Sequence, residues 1–207
     1  MYWDKKIETL KPADLQALQL KRLKKTIQQV QKVGFYQKRF AEAEIRASSI
    51  KTLDDIQKIP FTKKQDLRDG YPFGFFAVPL KKVVRIHTTS GTTGKPTVVG
   101  YTRHDLDAWS DLIARNMVMV GIGEDDVFQN MVNYGMFTGG LGFHYGAEKV
   151  GMTVIPSATG NTKRQLEMIQ DFGVTTIHCT PSYAMHLSEV AEEQGTCLES
   201  LKTGIFG

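Results

Sequence analysis

Apolar residues recur at Leu15, Leu18, Leu23, Ile27, Val30 and Val33 within an otherwise polar stretch, a near-helical spacing that predicts an amphipathic helix from Pro12 to Val33. Pro12 suits the first helical turn, where its missing N–H is not needed, and Gly34 suits the C-terminal stop. Two shorter helices are expected next, from the capping signals Thr52-x-x-Asp55 and Thr62-x-x-Gln65. The second should end at Gly70, before the turn-rich Tyr71-Pro72-Phe73-Gly74. Residues 1–80 therefore read as a mainly helical region.

The pattern changes after Pro79. Val83 to His87 reads as a strand, a glycine-rich loop interrupts it, and Thr97 to Tyr101 reads as a second strand, so a hairpin around the loop is expected. Thr102-x-x-Asp105 caps a helix carrying Leu106, Trp109, Ile113, Met117 and Val120, which Gly121 ends. Beyond it the elements alternate: strand Asp126 to Val132, loop Asn133 to Gly140, a helix to about Val150, strand Met152 to Pro156, helix Lys163 to Phe172 and strand Val174 to His178. Pro181 then opens a helix that Gly195 closes, and Thr203 to Phe206 reads as a further strand. Short apolar strands alternating with amphipathic helices predict an α/β fold, in which residues 81–207 build a largely parallel sheet behind the helical N-terminal region. A strand leading into a glycine turn is where such a sheet places ligand contacts. The stop at Gly207 therefore gives the expectation of a truncated chain.

Composition adds limits more than it adds chemistry. With 207 residues, 41% hydrophobic and 23% charged, the chain is expected to fold as one or two globular domains. It shows neither a secretory leader nor an apolar run of the roughly 18 residues that a membrane span needs, so the expected location is the cytoplasm, with no membrane partner. Cys179 and Cys197 fit neither a redox pair nor a zinc doublet and read as reduced structural thiols. The five histidines are scattered, and no metal site built from this chain is expected. The formal charge of +4 is uneven: residues 1–80 carry 16 Lys+Arg against 9 Asp+Glu, the remainder 10 against 13. The basic excess lies in short doublets on helical segments without interleaved aromatics, which fits a solvated helix face and not a nucleic-acid groove.

The densest chemistry lies at Thr88-Thr89-Ser90-Gly91-Thr92-Thr93-Gly94-Lys95-Pro96. Glycines let backbone N–H groups turn toward oxygens, hydroxyls add donors, and Lys95 adds a mobile positive charge for β- and γ-phosphate oxygens. The Walker pattern does not fit, because Thr89 replaces its first glycine and Pro96 stands where a magnesium-binding hydroxyl would be. The alternative is a Gly/Thr-rich hairpin loop with no ligand.

The string TSGTTGKP resembles the phosphate loop of the adenylate-forming superfamily. Leu53 to Lys63, Leu67 to Gly74, Asn133 to Glu148 and Thr180-Pro181-Ser182-Tyr183 make the finer match. Together they resemble the phenylacetate-coenzyme A ligase family over essentially the whole chain, and the chain is expected to be the N-terminal part of the large domain of such an enzyme. The resemblance implies ATP-dependent activation of an aromatic carboxylic acid to an acyl-adenylate, then to its coenzyme A thioester, with ATP, Mg and coenzyme A as cofactors. It implies that Thr88, Thr89, Ser90, Gly91, Thr92, Thr93, Gly94 and Lys95 hold the triphosphate, with Lys95 catalytic. Tyr134, Phe137 and Gly140 would border the acid, and glycines at 139, 140 and 142 would let its ring approach the backbone. The alternative is a tightly packed, glycine-rich helix start with Tyr134 and Phe137 in the core. The parts that enclose adenine and ribose, and the small domain with its lysine, are expected beyond residue 207, so this chain alone is expected to be inactive. His144 and Glu148 read either as an acid–base pair or as a structural hydrogen bond. The resemblance also leaves a homodimer open. Two other functions remain: an adenylating enzyme whose acceptor is a carrier-protein thiol, and a non-catalytic nucleotide-binding fragment.

Overall fold

In a computed structural model that describes residues 1–91 and 94–207, the chain divides into two compact units, Lys5–Arg103 and Met1–Asp4 with His104–Gly207. The first unit opens with the single turn α1 (Lys5–Glu8), followed by α2 (Pro12–Val30) and α3 (Gly34–Glu42). Pro12 occupies the first turn of α2 as expected. Gly34 does not follow a helix that runs to Val33. It starts α3, a helix absent from the sequence reading. The stop comes from tight bonds, Lys32 N to Gln29 O and Val33 N to Val30 O, after which Val33 turns extended and becomes the cap residue of α3 without any side-chain cap. With no polar capping residue to mark it, α3 leaves no start signal. The turn brings Phe40 and Ile45 onto Ile27, and these three with Ile50 form a buried apolar cluster.

Asp55 shows why its segment turns. One carboxylate oxygen accepts from the backbone N–H groups of Lys51 (2.6 Å) and Thr52 (2.9 Å), and the other accepts from the Lys58 ammonium at 2.6 Å. The Lys58 hydrogen bond first, then the two amides, hold its carboxyl well below the usual carboxylate range. The segment Leu53–Lys58 is a 3₁₀ helix. In α4 (Lys64–Asp69) the cap falls one residue later than the Thr62 signal suggests. Asp66 accepts from the Lys63 N–H at 2.7 Å, while the Thr62 hydroxyl is shared with the Tyr36 hydroxyl at 2.8 Å. After a 3₁₀ turn at Leu80–Lys82, β1 (Arg85–Thr88) and β2 (Val98–Tyr101) pair antiparallel, with Arg85 opposite Tyr101 and Thr88 opposite Val98. The hairpin thus encloses the glycine-rich loop.

The second unit is built on four parallel strands, β3 (Val127–Asn130), β4 (Thr153–Ile155), β5 (Thr176–Cys179) and β6 (Thr203–Phe206), in the order β4-β3-β5-β6. Helix α5 (Arg103–Met119) precedes β3, and α6 (Gly139–Val150), α7 (Thr162–Asp171) and α8 (Pro181–Glu193) each join one strand to the next in sequence. The period-2 alternation of strand side chains assigns the faces. Phe128 packs with Met117, Ile122, Ala147 and Met152 on the α5 and α6 side. Ile177 and Cys179 pack with Leu166, Ile169 and Leu187 on the α7 and α8 side. Two buried faces explain why these strands carry no simple polar alternation. Val120, expected on the apolar stripe of α5, is 55% exposed. Thr180 caps α8 by accepting from the Tyr183 N–H, and Asn161 caps α7 by accepting from the Arg164 N–H. Among the described residues no helix is long and apolar enough to cross a membrane.

One glycine bears on how the helices meet. A Cβ at Gly142 would stand 2.4 Å from Trp109 Cζ2, so the missing side chain lets the α5 indole lie on α6. The ring that approaches Gly142 is therefore the protein's own.

Candidate functional site

The loop between β1 and β2 is closed by the hairpin itself. Thr89 N donates to Thr97 O at 3.1 Å, and Thr97 N donates to the Thr89 hydroxyl at 3.0 Å. Since that hydroxyl accepts here, its own hydrogen remains to donate elsewhere. Gly94 N donates to Gly91 O at 3.1 Å, a turn in which Gly91 and Gly94 take φ of +67° and +131°, values that disfavour a side chain. Thr88 ends β1, Ser90 is exposed, and Lys95 is exposed with its ammonium 5.7 Å from the centroid of the Tyr71 ring. Thr92 and Thr93 lie outside the described residues. The described loop thus presents hydroxyls, a turned backbone and one lysine on a two-strand base.

The second unit carries a different cluster at the C-terminal ends of β3 and β5. Asn130, fully buried, ends β3 on the same face as Phe128, and the register sets it opposite His178 of β5. The Gly140 carbonyl can only accept, so the Asn130 amide nitrogen must face it, at 2.8 Å. That orientation directs the same nitrogen to the Tyr134 hydroxyl at 2.8 Å and turns the Asn130 oxygen to receive the His178 Nδ1–H at 2.9 Å. The Tyr134 hydroxyl then donates to His144 Nδ1 at 3.2 Å, and His144 Nε2–H reaches a Glu148 carboxylate oxygen at 3.0 Å. His144 and Glu148 thus terminate a directional hydrogen-bond chain that runs from buried His178 to an exposed carboxylate.

Of the residues singled out in sequence, Tyr134 and Gly140 meet through Asn130. Phe137 is 68% exposed and so is not a core residue. Asn130 and His178 escaped the sequence reading. The available signal was a polar residue ending a buried parallel strand, the position where α/β sheets present ligand contacts. Among the described residues no group of three or more His, Cys, Asp or Glu side chains gathers to hold a metal ion.

Burial pushes the Tyr134 phenol above its ordinary value, so it keeps the proton it donates. His178 lies against the Phe143 ring with centroids 3.9 Å apart, and its burial lowers the imidazole from 6.5 to about 4. Between those values the unfolded chain binds a proton that the folded chain refuses, so stability rises with pH across that window and falls on acidification. A loss on the order of 2 kcal/mol is expected on passing from pH 7 to pH 4.5. Urea unfolding at both pH values should show that drop in the wild type and a smaller one in His178→Gln; equal drops would show that His178 is not the group responsible.

Known proteins resemble the chain over nearly its whole length. The chain is 48% identical over 202 residues to the phenylacetate-coenzyme A ligase of Thermus thermophilus, covering 97% of this chain and 45% of that protein. It is 47% identical over 207 residues to the Escherichia coli phenylacetate-coenzyme A ligase, covering 97% and 47%. The chain thus spans about half the length of the curated relatives it matches. Among solved structures, a 2-hydroxyisobutyryl-CoA ligase bound to 2-HIB-AMP and CoA superposes with a TM-score of 0.93 at 31% identity, over all of this chain and 46% of that one. Since the sequence model of the AMP-binding enzymes matches it from residue 12 to residue 207, the chain belongs to that family.

Proposed function

We propose that this chain supplies the phosphate-binding hairpin and part of the acid site of an enzyme that activates an aromatic carboxylic acid, phenylacetate first among them, and passes it to coenzyme A. The observation that carries this reading is 46–48% identity to four phenylacetate-coenzyme A ligases over 97% of the chain. A carboxylate oxygen attacks the α-phosphorus of ATP, the bond to the β-phosphate breaks, and pyrophosphate leaves with the electron pair. The thiol sulfur of coenzyme A then attacks the acyl carbon, AMP departs with the C–O electrons, and the thiol proton passes to solvent. Thr88 to Lys95 hold the triphosphate, and the Lys95 ammonium meets the charge that grows on the leaving pyrophosphate. Magnesium shields that charge when it is bound to the triphosphate; no residue of this chain is assigned to it. Tyr134 and Phe137 offer flat apolar walls to the acid, and Gly140, buried against the Asn133 backbone, borders it by holding the loop that carries Tyr134.

Pyrophosphate exchange into ATP, driven by a panel of acids, tests the reading in the enzyme that carries this chain. Phenylacetate should support exchange. Phe137→Ala should lower kcat/KM for phenylacetate by about 10-fold, the worth of one aromatic contact with its buried area, and affect a short aliphatic acid by less than about 3-fold. Equal losses would remove Phe137 from the acid pocket, and no exchange with any carboxylic acid would sink the functional assignment.

A further inference from the structure

We infer that Asn130 is a positioning residue for the acid, acting through Tyr134 and thereby setting the preference for aromatic over short aliphatic acids. The inference rests on the proposed placement of the acid beside Tyr134.

The Asn130 side chain is an unusual occupant of its position. It is 0% exposed at the end of a central strand, on the face where its strand neighbour Phe128 packs against apolar side chains. An amide in such a place is costly unless its polar atoms are paired. Here both atoms are paired, and each partner comes from a different part of the chain: the Gly140 carbonyl at the start of α6, the Tyr134 hydroxyl in the loop before it, and His178 at the end of β5. The Gly140 carbonyl prevents the amide from flipping, because flipping would set two acceptors against each other.

The consequence falls on Tyr134. Its hydroxyl accepts from Asn130 and donates to His144, so its donor is committed and what it presents to a neighbouring molecule is the ring. The ring is held at its outer end by two bonds, one of them to a buried group, and because a phenol donates and accepts best in its own ring plane, the two together favour one orientation of that plane. A fixed aromatic plane rewards a flat substrate, whose stacking geometry is lost if the plane tilts; a short aliphatic acid has little to lose. A purely structural amide, tying the loop to β3, would instead lower activity with every acid in the same proportion.

The test is a cycle on the enzyme that carries this chain, with Asn130→Asp, Tyr134→Phe and the double variant, read by acid-dependent pyrophosphate exchange and by thermal unfolding. Asn130→Asp keeps the size and loses the donor to Tyr134 and Gly140; Tyr134→Phe keeps the ring and loses the hydroxyl. Each single variant is expected to lower kcat/KM for phenylacetate by about 10- to 30-fold, mainly through KM, with a loss below about 3-fold for a short aliphatic acid and an unchanged KM for ATP. In the double variant the loss should be close to that of Tyr134→Phe alone, because both changes cut the same bond. Should Asn130→Asp not fold, Tyr134→Phe is compared with His144→Phe, which cuts only the other bond of the hydroxyl: an aryl-selective loss confined to Tyr134→Phe upholds the inference, and an equal loss in both overturns it. Wild-type exchange with an aryl acid upholds the functional reading independently. Multiplying losses, or equal losses for aryl and aliphatic acids, would then overturn this inference alone.

Discussion

On the proposed function, replacing Lys95 by alanine in the enzyme that carries this chain is expected to slow acyl-adenylate formation by roughly 10- to 1,000-fold, the range for deleting one charged contact of about 2–4 kcal/mol to a charge that develops in the transition state. Fold stability should scarcely change. The side chain is exposed and its ammonium lies 5.7 Å from the centroid of the Tyr71 ring, a contact that contributes about 0.5–1 kcal/mol at the surface. The loop backbone does not depend on Lys95 either, since Thr89, Thr97, Gly91 and Gly94 close it through their own hydrogen bonds. The loss should therefore appear in the rate of chemistry. Rapid-quench measurement of pyrophosphate release at saturating ATP and acid checks it, with circular dichroism confirming the fold. A wild-type rate in Lys95→Ala would exclude the ammonium from stabilising the leaving group.

Gly140→Ala is expected to destabilise the second unit by roughly 1–3 kcal/mol, the usual range for forcing an extra methyl group into a close-packed place. The added Cβ would stand 2.5 Å from the carbonyl oxygen of Asn133, 3.1 Å from its carbonyl carbon and 3.2 Å from Cα of Tyr134. All three are backbone atoms, so no side-chain rotation relieves the overlap; the chain at 133–134 has to move. That movement pulls Tyr134 from Asn130 and His144, so on the proposed function the activity of the enzyme that carries this chain should fall together with stability. Gly139 supplies the control. A Cβ there meets nothing within 4 Å, and Gly139→Ala should be neutral or should stabilise by up to about 1 kcal/mol through helix propensity. Urea midpoints for the two variants, measured side by side, give the comparison. Equal midpoints would mean that the approach of Asn133 to Gly140 does not constrain the site.

Much of the architecture is legible in the amino-acid sequence. The hairpin, the order of strands and helices from 126 to 206, and the α/β class all emerged from periodicity and from capping residues. What failed did so for local reasons. Helix α3 begins at Gly34 after a valine cap residue with no capping side chain, so no polar residue marks its start, and Gly34 reads from sequence as the end of the helix before it. Thr62 bears the right chemistry for a cap, yet its hydroxyl is engaged with Tyr36, 26 residues away, and the cap moved to the next residue. Among the glycines of the 139–142 run, the sequence could not tell which serve internal packing and which lie open, because the answer depends on whether Trp109 or Asn133 stands opposite.

The site divides along the same line. Thr88 to Lys95 is contiguous, so its glycines, hydroxyls and lysine could be read together as an anion cradle, whatever surrounds them. Asn130 and His178 are 48 residues apart, and neither is distinctive alone. Strand periodicity fixes which face a residue points to only relative to its own neighbours in the chain, since it is a property of local backbone geometry. Which strand lies alongside, and in what register, follows from burying two apolar faces of the sheet at once. A shift of one residue between β3 and β5 would turn His178 away from Asn130 and bring the core residue Ile177 onto the α6 side. The amino-acid sequence by itself thus determined the class of fold and gathered the hydroxyls, glycines and lysine of the loop into one contiguous stretch. Only tertiary packing, by fixing that register, decided that a buried amide would hold Tyr134.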